Sequence, residues 1–372
     1  MSQTKQPDSS STAKHYNRTK LVLGIISPVS SFLVVVIILA SGYSVSLRDW
    51  VMSHTSNEYL VVILFLFAVT LIETIVTFPL SFYSSYIIEH RYNLSNQTVG
   101  TWLWERVKGL LIGTPLLVAG ILLLYYCMKE FGDAWWLPVS IVLALLSVVF
   151  ARVVPIIIMP LFYKFTPLED PSLKEAIAKL CTNAGIRFDG IFSFNMSKNT
   201  KKANAGFTGI GRTKRIILGD TLLKSFSQEE IETVFAHELG HYRYRHIIVG
   251  MAVGILLTFL GLFVASRLYT WSLSWFGFTL MTDPAALPLI GLWLTVFGLV
   301  TSPLGNILSR KHEREADIYA VRTTRNKPAF ISALRKLAET NLADPEPHPL
   351  IEFLFYSHPS IGRRIAMVGS ID

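Results

Sequence analysis

Six stretches of the chain, residues 21–40, 60–80, 110–126, 135–154, 247–265 and 285–308, are apolar almost throughout; the charges within them are Glu73 and Arg152. A hydrocarbon layer ~30 Å thick is crossed by about 20 such residues in helical conformation, so each stretch predicts a transmembrane helix. The first is longer than the apolar region of a cleavable signal peptide and is read as a span that stays. The polar, Ser/Thr-rich residues ahead of it predict a disordered tail. This divides the chain into a tail at 1–20, four spans with their loops at 21–154, a lobe at 155–246, two spans at 247–308 and C-terminal helices at 309–372.

Inside the lobe the apolar spacing changes. Residues 170–184, DPSLKEAIAKLCTNA, have helical spacing with a proline near the start. Short β-like pieces follow: GIFSF (190–194), ANAGFTG (203–209) and RIILGD (215–220). Ser227 and Glu230 fit a capping box, S-x-x-E, that opens a helix carrying IETVFAHELGH. That helix is expected to continue into the fifth span. The fold class is therefore a multi-pass α-helical membrane protein, with about six transmembrane helices and a small α+β lobe.

Composition agrees: 51% of residues are hydrophobic and 16% charged, too greasy for an ordinary soluble domain. The net charge of +8 raises nucleic acid as a partner, but its distribution excludes it. Of 34 Lys and Arg, only Arg48, Lys129 and Arg267 fall on segments that alternate to one side. The others lie in the tail, in 81–109, in 151–246 and beyond 309. This positive-inside pattern places both termini and the lobe in the cytoplasm. With two cysteines, Cys127 and Cys181, neither a disulfide nor a thiolate metal site is expected.

The chemistry concentrates at AHELGHYRYRH, residues 236–246. His237 and His241 are i and i+4, so both imidazoles leave one helical face and can share a metal. Glu238 is offset from that pair, where a general base reaches a water without ligating the metal. Zinc takes a third protein ligand and keeps a position open for water. SRKHEREADIYAVR (309–322) supplies Glu313 as that ligand, and Asp317, one turn on, as an acceptor for a ligand imidazole N–H. Arg310 would balance their charge. The same spacing also suits a solvated helix with i,i+4 ion pairs. His246, five positions beyond His241, is expected to point away from the metal face.

Taken together, these residues resemble the type I CAAX prenyl proteases, integral-membrane zinc metallopeptidases. The likeness runs through IIEHRYNLSNQT (87–98), IIIMPLFYKFTPLED (156–170), KKANAGFTGIGRTKRIILGDTLL (201–223), AHELGHYRYRH, SRKHEREADIYA and YSHPSIGRR (356–364). It implies one zinc on His237, His241 and Glu313, with Glu238 activating water. It further implies that His358 stabilises the transition state, that Asn204 and Ala205 take up the substrate backbone, and that Arg364 sits near the substrate's C-terminal carboxylate. Read without the family, YSHP is also a helix-start turn in which His358 caps. The strand around Asn204, with Gly206 and Gly209 allowing close approach, suits β-augmentation by an extended peptide. The resemblance also implies a zincin-like α+β lobe and about six spans enclosing a water-filled chamber, which Glu73 would face unless it makes one hydrogen bond between helices. The family's eukaryotic members usually have seven spans; six are found here.

The implied activity is hydrolysis of peptide bonds near the C-terminus of membrane-associated substrates, prenylated or not, at the lipid bilayer. The location is the inner membrane in a bacterium and the endoplasmic reticulum in a eukaryote. The alternatives are a quality-control zinc protease of loose specificity, and a transporter or scaffold with a structural zinc site. A structural site would be closed by four protein ligands; three emerge here.

Overall fold

A computed structural model describes residues 9–186, 190–208 and 215–371; Gly209 lies outside the described residues. The first half consists of helices α1 (Ser9–Ala40), α2 (Tyr43–Met52), α3 (Glu58–Phe82), α4 (Ile88–Arg91), α5 (Val99–Phe131), α6 (Trp136–Val153) and α7 (Met159–Phe162). Single π-helical turns, Tyr83–Ile87 and Val154–Ile158, join α3 to α4 and α6 to α7. The lobe follows: β1 (Phe165–Pro167), α8 (Pro171–Asn183), β2 (Gly190–Phe194), β3 (Ala205–Thr208), β4 (Arg215–Gly219), α9 (Asp220–Ser225) and α10 (Gln228–Arg243). The chain ends with α11 (His246–Ser272), α12 (Pro288–Thr324), α13 (Lys327–Asn341), α14 (Pro349–Phe355) and α15 (Ile361–Gly369).

Among the described residues, six helical segments are long and apolar enough to cross a membrane: Ser11–Ala40, Glu58–Arg91, Val99–Ala134, Trp136–Phe162, His246–Phe276 and Pro284–Thr324. Five contain one of the apolar stretches whole, the fourth begins one residue inside its stretch, and all run past the stretch at one end or both. Polar residues close the helix ends: Asn57 Oδ1 accepts from the Leu60 N–H and Thr98 Oγ1 from the Thr101 N–H. Glu73, in α3, accepts a hydrogen bond from Ser31 of α1, so the interhelical bond is formed.

Three expectations are corrected. Residues 9–20 are not a disordered tail but the first turns of α1, because their polar groups have partners. The Tyr16 hydroxyl donates to Glu89 (2.8 Å), Lys20 pairs with Glu89 (3.0 Å), and the Asn17 amide donates to the Leu342 carbonyl (2.6 Å). The metal-motif helix does not continue into the fifth span. It stops at Arg243, and Arg245 takes a left-handed conformation (φ 59°) before α11 begins. Conversely, the sixth span and the acidic helix are one element, the 37-residue α12.

The sheet has the order β1-β2-β4-β3, with β2 and β4 parallel and both outer strands antiparallel to their neighbours. β3 is therefore an edge strand. The Gly219 N–H donates to the Asn204 carbonyl (2.9 Å), and a side chain at Gly219 would collide with that oxygen and with Met196. The lobe core joins Leu173, Ile177 and Cys181 of α8 to Ile216 and Leu218 of β4 and Phe235 and Leu239 of α10. Both cysteines are free and buried. A second core forms at the opposite ends of the spans, around Phe65, Tyr125, Met128, Trp135 and Tyr269.

Candidate active site

Helix α10 is fixed at its start by the capping box. The Ser227 N–H donates to Glu230 Oε2 (2.8 Å), and the Glu230 N–H donates to Ser227 Oγ (3.3 Å). The same carboxylate accepts from Ser332 (2.6 Å) and Lys336 (2.7 Å) of α13. Burial opposes charge on Glu230, but the bonds from Lys336 and Ser332 outweigh it and hold the carboxyl below its ordinary range. Three residues before its end, α10 crosses α12 at Gly240. A Cβ there would lie 2.9 Å from Ala316 Cα and 3.1 Å from Tyr319 Cβ, so only glycine permits this approach.

The crossing brings Glu313 to the two histidines. His237 Nε2 is 3.2 Å from His241 Nε2 and 3.4 Å from Glu313 Oε2, and His241 Nε2 is 3.2 Å from Glu313 Oε1. Ligand bonds of about 2.0–2.1 Å in tetrahedral arrangement give edges of about 3.3–3.4 Å; each contact is near that length, with the two imidazoles facing different oxygens of Glu313, and one ligand atom from each residue lies within 4.8 Å of the others. His237 and Glu313 are buried, and Glu313 Oε2 makes no hydrogen bond among the described residues. A buried carboxylate oxygen without a donor is costly unless a cation faces it. The residues fit a metal of this kind.

Around this cluster, His237 Nδ1 lies 2.8 Å from Asp317 Oδ1. Asp317 is fully buried and takes both arms of Arg364, Nε at 2.9 Å and Nη2 at 2.6 Å. Arg364, whose expected place was beside a substrate carboxylate, thus gives its planar fork to Asp317, and Nη1 reaches to 3.7 Å from Glu313. Arg310 does not balance the site. Its guanidinium donates to the carbonyls of Glu352, Phe353 and Tyr356 and ends α14. Burial disfavours charge on His237, yet its bonds to Asp317 and Glu313 hold its pKa at about 9. To hold a metal through Nε2, His237 would give up that proton.

Glu238 lies beside the cluster with no hydrogen bond or ion pair among the described residues, and burial pushes its carboxyl above the ordinary range. His358, before α15, has a side chain 61% exposed, with Nε2 3.3 Å from Glu313 Oε1. Glu238 and His358 line a cleft of about 320 Å³ together with Asn204, Ala205, His237, Glu313 and Arg364. His241 and Asp317 flank His237 at the edge of this cleft, and of the residues proposed for the site Arg310 lies apart.

The structure adds residues that sequence reasoning missed. His246 does not point away from the metal face: its Nδ1 is 3.0 Å from His241 Nδ1, and its Nε2 is 2.9 Å from Glu315 Oε2. His312 stacks on it, centroids 3.9 Å apart and planes at 9°. On a straight helix five positions turn the side chain well off the ligand face. The break at Arg245 cancels that rotation, and nothing in the local apolar pattern marks it.

Two histidines and a glutamate around an open position, beside a free carboxylate and under an edge strand, define a membrane-embedded metallopeptidase. The family model of peptidase family M48 matches residues 167–371, and that of the CAAX prenyl protease N-terminal region, with five membrane helices, matches residues 1–164. The chain belongs to peptidase family M48, as a membrane metalloprotease of the CAAX prenyl protease type. Within the N-terminal match this chain has four candidate spans and the ten-residue α2. It is 32% identical to the uncharacterized metalloprotease YhfN of Bacillus subtilis over 97% of this chain and 85% of that one. It is 33% identical to CAAX prenyl protease 1 of Saccharomyces cerevisiae over 83% of this chain and 72% of that one. The crystal structure of S. mikatae Ste24p superposes with a TM-score of 0.87 at 27% identity, covering 99% of this chain and 92% of that one.

Proposed function

We propose that the protein hydrolyses peptide bonds near the C-terminus of membrane-associated chains, prenylated ones among them, with one zinc held by His237, His241 and Glu313. The observation that carries this reading is the pair of imidazole nitrogens 3.2 Å apart, facing the two oxygens of Glu313 at 3.4 and 3.2 Å, at a cleft that Glu238 and the end of an edge strand share. Zinc bound there would lower the pKa of water and polarise a carbonyl.

The chain's own residues do the rest. Ala205, on edge strand β3, with Asn204 before it, pairs with an extended substrate through backbone groups and presents its carbonyl to the cleft. Glu238 takes a proton from the attacking water and returns it to the leaving amine; its raised pKa brings it nearer the working pH. His358 donates to the carbonyl oxygen as charge builds there. Asp317, itself held by Arg364, keeps the His237 ring in the tautomer that offers Nε2 to the metal. The bias of Lys and Arg puts the lobe and both termini in the cytoplasm, so cleavage takes place where a lipid-modified chain end partitions into the membrane. In a bacterium this is the inner membrane, in a eukaryote the endoplasmic reticulum.

The test is cleavage of a farnesylated C-a-a-X peptide beside its unprenylated twin, by wild type, Glu238→Ala and chelated wild type. Cleavage of the farnesylated peptide by untreated wild type alone is expected. Equal cutting of both peptides would replace the prenyl-specific reading with a quality-control protease. Cleavage surviving Glu238→Ala would overturn the catalytic assignment.

A further inference from the structure

The two ligand imidazoles are supported in different ways. His237 meets a carboxylate directly, through Asp317. Among the described residues, His241 meets no carboxylate on its Nδ1 side; it meets the ring of His246. We propose that His246 and Glu315 are positioning residues for the metal, forming a relay from Glu315 through His246 to His241. The relay rests on the metal reading above and deepens it.

The hydrogen bookkeeping leaves one arrangement. His241 Nε2 is turned to His237 and Glu313; offered to a metal, it would give its lone pair and leave the ring's hydrogen on Nδ1. That N–H points at His246 Nδ1, 3.0 Å away, which must then accept. The hydrogen of His246 is thereby placed on Nε2, which faces Glu315 Oε2 at 2.9 Å, an acceptor. Each nitrogen of both rings has one role, and the carboxylate's influence passes to the metal ligand through a second imidazole.

The surroundings hold the relay in place. His246 is 6% exposed although it opens a helix in the layer where a span begins. His312 stacks flat against it and fixes its plane. Arg245, left-handed at φ 59°, returns the first residue of α11 beneath the last turn of α10. Lys311 approaches Glu315 at 3.9 Å from the solvent side, on its other oxygen, and leaves Oε2 to His246. A histidine that only filled space would not need both nitrogens engaged in line with a ligand.

The test measures zinc affinity of the detergent-solubilised full chain by competition with a chromogenic chelator, together with the melting temperature of the metal-free protein. His246→Phe keeps a flat ring to stack on His312 and removes both nitrogens. Supporting groups behind a ligand are typically worth 10–100-fold in metal affinity, and a loss in that range is expected, with the metal-free melting temperature kept. Glu315→Gln, whose amide oxygen still accepts from His246, should lose less and so rank between wild type and His246→Phe. Wild-type affinity in both variants overturns the relay, as does a lower metal-free melting temperature with unchanged affinity. His241→Ala separates the two readings: if it binds zinc as wild type does, the metal assignment itself fails.

Discussion

Of the 16 residues of α10 nine are buried, while of the 33 residues of α5 only four are, and those lie in its first turn and its last two. α10 is wedged between α12, α13 and the sheet. The middle of α5 turns Leu110, Leu111 and Leu117 outward, and no residue of the most apolar stretch of Val99–Ala134 is buried. The difference separates two demands. Metal and proton chemistry needs donors held to within a fraction of an ångström, which only a close-packed surround with satisfied polar groups provides. The spans need apolar length for the bilayer, and side chains facing outward there meet lipid without further partners.

The strongest way to break the comparison leaves every packed group in place. Glu238→Gln preserves shape and removes the base, so cleavage should fall by about 10²–10⁴-fold while zinc remains bound. Metal content and turnover measured on one preparation check it. A parallel loss of zinc would make Glu238 part of the metal's support instead of its partner in proton transfer.

Next comes the support of His237. Asp317→Asn leaves the Arg364 fork facing a neutral group and lets the amide turn its NH₂ toward His237 Nδ1. Zinc affinity should weaken by about 10–100-fold, read by chelator competition. Affinity within twofold of wild type would show that packing alone orients the ring.

Helix packing can be compared by one substitution in both regions. Gly240→Ala places a methyl 2.9 Å from the Ala316 backbone, and such overpacking costs about 1–3 kcal/mol. It pushes α12, and with it Glu313, away from the histidines. Gly254→Ala, in α11, meets nothing within 4 Å and should cost nothing in a helix. Melting temperature and zinc content of the two variants decide the matter; equal losses would mean the crossing is no tighter than the membrane region.

Much of this was legible in the chain. Runs of apolar residues locate the spans because lipid imposes one strong length rule. Spacing i, i+4 places His237 and His241 on one face wherever a helix forms, and Ser227 with Glu230 announces where it starts. Asp170, whose side chain accepts from the Leu173 N–H, likewise marks the start of α8. Other features rest on tertiary partners without local trace. β1 is three residues ending at Pro167, ordered by pairing with β2. The first turns of α1 are helical because Glu89 and Leu342 receive their polar groups. His246 reaches the site only through the turn at Arg245, and a rigid helical wheel sends it elsewhere.

The smallest predicted effect concerns the clamp that holds α10 in register. Glu230 is buried, caps its own helix and accepts from Ser332 and Lys336 of α13. Glu230→Gln keeps one acceptor and loses the charge, so it should destabilise the protein by about 1 kcal/mol at neutral pH. The carboxyl is held below its ordinary range in the fold, so its contribution is fully present above the unfolded value of about 4.3 and is lost as pH falls through the lower folded value. The gap in melting temperature between wild type and variant should therefore be constant from pH 7 to about 5 and close in more acid solution. A gap that widened on acidification would mean that Glu230 carries a proton in the folded protein, and that the start of the metal helix is held by its neutral hydrogen bonds alone.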